Sequence, residues 1–373
     1  MQYLRHLILS IGIVACAAWS LIAAHAEDQA EIAAGKGYPD HELVATPAWL
    51  TQRRDTVVLV DVRTDAYYDQ VTIPGAVRLP WLHFQRPDRG RGLAATFVGI
   101  SAAEKILGEH GITRGAEVVL FDSVKRDGGA TASYVFWVLD VLGHQRKRVL
   151  AGGIDAWKRA GGETTQTPVQ PTPVEYVAPS SELRADMLIA GDVVYHRLDD
   201  PHYRIIDVRT PAEYLGQKGS TGIDDEPLKL GHIPGAVNIP YTEAWRDEKQ
   251  KMIKSPADLQ ELYAGLDARQ TQIVYCQSGR RGSYSYYILR LLGYSRVVLY
   301  EPSWQGWARP ANHFPVETQP HELPQGGGVP PSMAGSSAVE QAGGQRSAAS
   351  GARPAPESAG DEPAGGYVSC GGG

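Results

Sequence analysis

The string Ile-Pro-Gly-Ala-Val occurs twice, at residues 73–77 and 233–237, and the strings around it return in the same order. Val60-Asp61-Val62-Arg63 is answered by Ile206-Asp207-Val208-Arg209, Leu142-Gly143-His144 by Leu292-Gly293-Tyr294, and Trp157 by Trp307. Self-similarity in fixed order marks an internal duplication, so the chain holds two copies of one domain. Within a copy, apolar β-branched runs such as Val57 to Val60 and Glu117 to Phe121 alternate with helical stretches, Ser101 to His110 before Gly111 and Tyr134 to Leu142 before Gly143. That alternation predicts an α/β fold whose parallel sheet is covered by helices on both faces.

The copies span 40–165 and 181–318, joined by a linker at 166–180 that carries the four prolines of Pro168 to Pro179. Gly216 to Leu230 is an added excursion of copy two, expected as a surface loop. From 319 to 373 the composition turns to Gly, Ala, Ser and Pro, which cannot bury enough surface to offset chain entropy, so a disordered tail is expected there.

Copy two alone carries a cysteine in a reactive setting. Ile273-Val274-Tyr275 leads into Cys276, and Gln277-Ser278-Gly279-Arg280-Arg281-Gly282-Ser283 follows before the run Tyr284 to Leu292. The first run suits a buried strand and the last a helix closed by Gly293, which sets Cys276 at a strand end facing a helix start. Loop amides, the helix N-terminus and two guanidiniums favour a thiolate there. A free cysteine can also be a plain buried hydrophobe, but then Gly279, Arg280 and Arg281 have no reason to cluster. Ser278 and Ser283 offer hydroxyls either to a ligand or to the helix cap. Asp207 and Arg209 read as a buried pair, with Asp207 holding the cysteine loop or one of its arginines; Asp61 and Arg63 occupy the same place in copy one, which argues for scaffold. His232, where copy one has Thr72, reads as a structural hydrogen-bonder and not a base.

Through Asp-Val-Arg, the repeated Ile-Pro-Gly-Ala-Val, the Cys276 loop and Trp304-Gln305-Gly306-Trp307, the chain resembles the tandem rhodanese family of sulfurtransferases from about Asp40 to Glu317. The resemblance implies two rhodanese domains with the C-terminal one catalytic. Its cysteine takes sulfane sulfur from thiosulfate or a similar donor, holds it as a persulfide, and passes it to cyanide or a thiol. The residues suit this: Cys276 supplies the nucleophile, and Arg280 and Arg281 the cations for the leaving sulfite. Amides of Gln277 to Arg281 are expected to hold the persulfide without a metal or organic cofactor. Copy one has Asp122 in place of the thiol and a longer loop, matching the family's inactive half, which helps wall the site. Vertebrate thiosulfate sulfurtransferases carry cations where Glu213 and Ser278 align, and mercaptopyruvate-type members a Gly-Ser-Gly-Val-Thr run after the cysteine. The chain has neither, and its two arginines favour thiosulfate. Cysteine phosphatases sharing this fold need five residues between Cys and Arg, whereas Arg281 follows after four and Gly282 stands at the fifth. A binding module without chemistry would have lost the cysteine from both copies.

With 36 basic against 42 acidic residues, a net charge of −6 and no basic stripe, a nucleic-acid partner has no support. Cys16, Cys276 and Cys370 are too few and too far apart for a disulfide framework or a cysteine zinc site. Arg5, the apolar run Leu7 to Ala24 and Ala24-His25-Ala26 read as a signal peptide over 1–26, predicting a periplasmic or secreted protein with no membrane insertion after cleavage. Left uncleaved, the run is long enough to anchor the chain, and Ile13-Val14-Ala15-Cys16 resembles a lipoprotein box. The ending Ser369-Cys370-Gly371-Gly372-Gly373 resembles the glycine-flanked cysteine arm of the carrier proteins of thiosulfate oxidation. That resemblance makes Cys370 a candidate acceptor of sulfur from Cys276.

Overall fold

Two parallel sheets form, one per copy, in a computed structural model that describes residues 37–323 and 328–331. Copy one contributes β1 (Val44–Ala45), α1 (Pro47–Arg53), β2 (Val58–Asp61), β3 (Val77–Arg78), a hairpin of β4 (Gln85–Asp88) and β5 (Leu93–Phe97), α2 (Ile100–Glu109), β6 (Val118–Phe121), α3 (Ala130–Val141), β7 (Lys147–Leu150) and α4 (Gly153–Arg159). Copy two contributes α5 (Gly191–Tyr195), β8 (Tyr203–Asp207), α6 (Pro211–Tyr214), β9 (Val237–Asn238), α7 (Pro256–Leu262), β10 (Thr271–Tyr275), α8 (Arg280–Leu291), β11 (Val297–Leu299) and α9 (Ser303–Trp307). The strand orders are β1-β7-β6-β2-β3 and β11-β10-β8-β9. Val60 lies opposite Leu120 in the first sheet and Ile206 opposite Val274 in the second, so Asp122 and Cys276 follow equivalent strand ends.

Successive strand residues point to opposite faces, and both faces are apolar because helices cover both. Val60, Leu120, Ile206 and Val274 enter one large core shared by the two copies. Leu59, Val119 and Phe121 pack with Leu50 and Trp157 on the far side of copy one, and Ile205, Ile273 and Tyr275 with Trp304 and Trp307 on the far side of copy two. Helices α3 and α8 face each other across the shared core, with Phe136 edge-on to Tyr287 at 5.1 Å. Buried Asp140 accepts from Tyr286 Oη at 2.7 Å and from Arg290 at 3.0 Å across the same contact.

The structure moves several sequence expectations. Helices α3 and α8 begin a turn before Tyr134 and Tyr284, because Gly129 and Gly279, both at positive φ, start them, and the small or polar first turns carry no apolar periodicity. Arg280 and Arg281 therefore belong to the first turn of α8 and not to a loop. The proline-rich linker is laid along copy one: Thr165 bridges Thr72, Val169 bridges Val77, and Tyr176 is buried against His144. The excursion is not wholly surface, since Leu228 is buried. Beyond Gln319, His321 bridges Val237, and the Val329 carbonyl accepts from Ala268 N at 2.8 Å, so ordered chain continues past that point. The hairpin β4–β5 was not foreseen, since Arg86-Pro87-Asp88-Arg89-Gly90-Arg91-Gly92 reads as a turn. The signal segment 1–26 with Cys16, and the far tail with Cys370, lie outside the described residues. No helix among the described residues is long and apolar enough to cross a membrane.

Candidate active site

Cys276 is the residue after β10 and is 1% exposed. Three residues on, Gly279 opens α8 at φ +87°, a left-handed conformation that favours glycine; an added Cβ would also lie 3.0 Å from the Glu301 carbonyl. The turn is pinned from β11's far end by Ser303, itself at φ +54°. Ser303 Oγ accepts from the amides of Cys276 and Gly279, both at 3.1 Å, and lies 4.0 Å from Cys276 Sγ. Two loop amides are thus already taken. The amides of Arg280, Arg281 and Gly282, in the first turn of α8, have no carbonyl a turn earlier and are open to an anion at the thiol. Ser303 escaped sequence reasoning because its distance in sequence from the cysteine hides a contact that exists only through β11.

The two arginines have separate partners. Arg281 forks onto Glu213 at 2.8 and 2.9 Å, and Glu213 sits at N3 of α6 in a capping box with Thr210. Burial opposes ionisation of Glu213, yet Arg281 and Thr210 hold its carboxyl down at about 2. Burial likewise opposes the charge on Arg281, but Glu213 and the Cys276 sulfur raise its pKa. Arg280 pairs with Asp127 of copy one, beside Arg126, and its guanidinium lies 5.8 Å from the Trp81 ring. Burial, then Arg126 and Arg281, lower the Arg280 pKa to about 9. Arg126, Arg280 and Arg281 thus meet the carboxylates of Asp127 and Glu213, and a third acid, Glu301, is buried beside Gly279 with burial pushing its pKa up. Arg126 and Asp127 were missed because they lie in the longer loop of copy one, where no motif marks them.

Other candidates fall in supporting places. The Gln277 carbonyl accepts from Gln305 N, and the Ser278 carbonyl from Gln85 Nε2 of copy one. Ser283 Oγ donates within its own helix turn, to the Arg280 carbonyl at 2.7 Å. Of the two roles expected for Asp207 the structure gives the first: it holds the start of the cysteine loop through Tyr275 and does not hold Arg280 or Arg281. It takes Arg209 at 2.6 Å and the Tyr275 hydroxyl at 2.6 Å, because its side chain points back into its own strand pair. By fixing Tyr275 it fixes the residue before Cys276. Asp61 takes Arg63 in the same way. Despite its longer loop, copy one has an amide cradle of its own: Asp122 Oδ2 accepts from the amides of Thr131 and Ala132, each at 3.2 Å, at the N-terminus of α3.

Fold and site together define a two-domain α/β enzyme with a thiol-bearing site, set at a strand end of copy two and walled by copy one. The rhodanese-like domain profile matches residues 46–160 and 191–310. The thiosulfate sulfurtransferase of Corynebacterium glutamicum is 28% identical over 287 residues, 75% of this chain and 92% of that protein. The sulfur carrier protein TtuD of Thermus thermophilus is 32% identical over 286 residues, 73% of this chain and 95% of that one. Among solved structures, the anaerobic ergothioneine biosynthesis enzyme of Chlorobium limicola superposes with a TM-score of 0.64 at 22% identity, covering 79% of this chain and 72% of that one, a likeness of fold. The chain belongs to the rhodanese-like family, as a tandem-domain sulfurtransferase.

Proposed function

We propose that the protein transfers sulfane sulfur from a thiosulfate-type donor to a thiol or cyanide through a persulfide on Cys276. The observation that carries this reading is the burial of Cys276 at the N-terminus of α8, with the Arg281 guanidinium near enough for the Cys276 sulfur to favour its charge. The thiolate attacks the outer sulfur of the donor, the S–S bond of thiosulfate breaks, and sulfite leaves with the bonding pair. A sulfonate-bearing donor suits the guanidiniums of Arg280 and Arg281, and the persulfide anion suits the first-turn amides of α8. An acceptor thiolate or cyanide then attacks the terminal sulfur, and Cys276 leaves as the thiolate.

A thiosulfate sulfurtransferase among the relatives supports the donor, and a sulfur carrier protein supports a protein thiol as acceptor. On sequence alone, Cys370 is one such thiol, and the segment 1–26 supports export. Intact mass spectrometry after thiosulfate treatment tests the central step: the chain should gain one sulfur, located on the Cys276 peptide and absent from Cys276→Ser. Sulfur gained equally by that variant would sink the reading.

A further inference from the structure

At the edge of copy two away from the α3–α8 contact, two histidines and a carboxylate converge. His232 lies in the turn before β9, while Glu317 closes copy two and His321 follows it; the ligand atoms of all three lie within 4.8 Å of one another. We propose that His232, Glu317 and His321 bind one divalent transition-metal ion of the zinc class.

The backbone fixes all three positions before any ion arrives. His232 and Glu317 form an antiparallel bridge, with His232 N donating to Glu317 O at 2.8 Å and Glu317 N to His232 O at 3.1 Å, while His321 bridges Val237. His232 is fully buried, stacked on Tyr214 with ring centroids 3.7 Å apart, so its ring cannot swing away. Its Nδ1 lies 2.8 Å from the Tyr214 carbonyl, which only accepts, so Nδ1 carries the proton and Nε2 presents a lone pair. Metal-binding histidines are commonly oriented by a carbonyl on the other nitrogen in this way.

That buried Nε2 has no hydrogen-bond partner, and it faces Glu317 Oε1 at 3.4 Å. Glu317 Oε1 already accepts from Gly235 N, so the buried group left without a donor is the lone pair of His232 Nε2. A cation held between His232 and Glu317 would satisfy that lone pair. His321 Nε2, 2.6 Å from the same oxygen, completes a set of two imidazoles and one carboxylate, which suits zinc with a solvent ligand in the fourth position. Gly235 N donates to Glu317 Oε1 at 2.6 Å and steers that carboxylate. The open side gives onto a cleft of about 890 Å³ lined by His196, Asp199 and Asp200. An ion here would clamp residues 317–321 onto the domain. It would also sit beside α6, where Tyr214 orients His232 and the preceding Glu213 holds Arg281.

The test uses tag-free, chelator-stripped full-length protein with Cys16, Cys276 and Cys370 all changed to serine, so that no thiol contributes. Titration with zinc should show about one equivalent bound at micromolar concentration, and cobalt substitution should give the visible bands of a four- or five-coordinate nitrogen–oxygen site. His321→Ala alters an exposed ring and leaves the core intact; it and Glu317→Gln should each weaken binding by at least about tenfold, the lower limit for losing even an outer-shell partner. Circular dichroism checks that both variants stay folded. No zinc bound by the parent protein, or binding undiminished in both variants, would overturn the proposal.

Discussion

Replacing Glu213 by glutamine should make the protein less stable and its donor site stronger at once. Glu213 is 7% exposed and is the sole bidentate partner shown for Arg281. Holding a carboxyl at about 2 against an ordinary 4.5 corresponds to about 3 kcal/mol at 1.36 kcal/mol per tenfold change in proton affinity. The rim of the pair reaches solvent, which reduces this to about 2 kcal/mol. The folded-state pKa is depressed, so this stability is fully present above about 4.5 and is lost as the pH falls towards 2. Urea melts at pH 7 should place Glu213→Gln about 2 kcal/mol below the parent, with the gap narrowing below pH 4.5. Meanwhile Arg281 regains its fork for an incoming sulfonate. A charge-assisted hydrogen bond contributes about 1.5–3 kcal/mol, part of it lost to reordering the side chain, so KM for thiosulfate should fall about fivefold to tenfold. Equal stability at pH 7 together with an unchanged KM would refute this account of the pair.

Cys276→Ser should abolish thiocyanate formation from thiosulfate and cyanide while the melting profile stays within about 1 kcal/mol of the parent, since the change is nearly isosteric. Ser303→Ala strips the acceptor from the amides of Cys276 and Gly279 and should cost about 2–4 kcal/mol, read as a lower urea midpoint, with slower alkylation of Cys276. Asp122→Cys in the Cys276→Ser background should stay inactive, because Ala130 and Thr131 stand where copy two has Arg280 and Arg281; thiocyanate formation by that double variant would show that amides alone suffice.

The duplication, the parallel sheets and the place of Cys276 were legible in the sequence because each rests on local pattern: apolar runs, glycine stops and a repeated string. Helix starts were not, since Arg280-Arg281-Gly282-Ser283 has neither apolar period nor a side-chain cap, and only the φ of Gly279 begins the helix. The partners of the arginines were out of reach for another reason. Glu213 and Asp127 lie 68 and 153 positions from Arg281 and Arg280 along the chain, and charge carries no periodicity by which such pairs can be recognised. The second role expected for Asp207 fails for the opposite reason: Arg209, two positions away, outcompetes the more distant arginines.

The copy without a thiol clarifies what the other copy does with one. Asp122 and Cys276 follow equivalent strand ends, and Gly129 and Gly279 open equivalent helices, so Thr131 and Ala132 correspond to Arg281 and Gly282. In copy one a single carboxylate oxygen gathers two first-turn amides and the Thr131 hydroxyl. Burial raises the Asp122 pKa while those donors pull it back, the balance expected for a negative group held in a dry helix mouth. The persulfide proposed for Cys276 would carry its terminal sulfur farther from the backbone than the thiol, towards the corresponding amides of Arg281 and Gly282. The donor geometry that copy one uses to hold a permanent oxygen is therefore the geometry copy two needs for a transient sulfur. Arg280 and Arg281, which have only Ala130 and Thr131 as counterparts in copy one, are what the helix mouth of copy two adds.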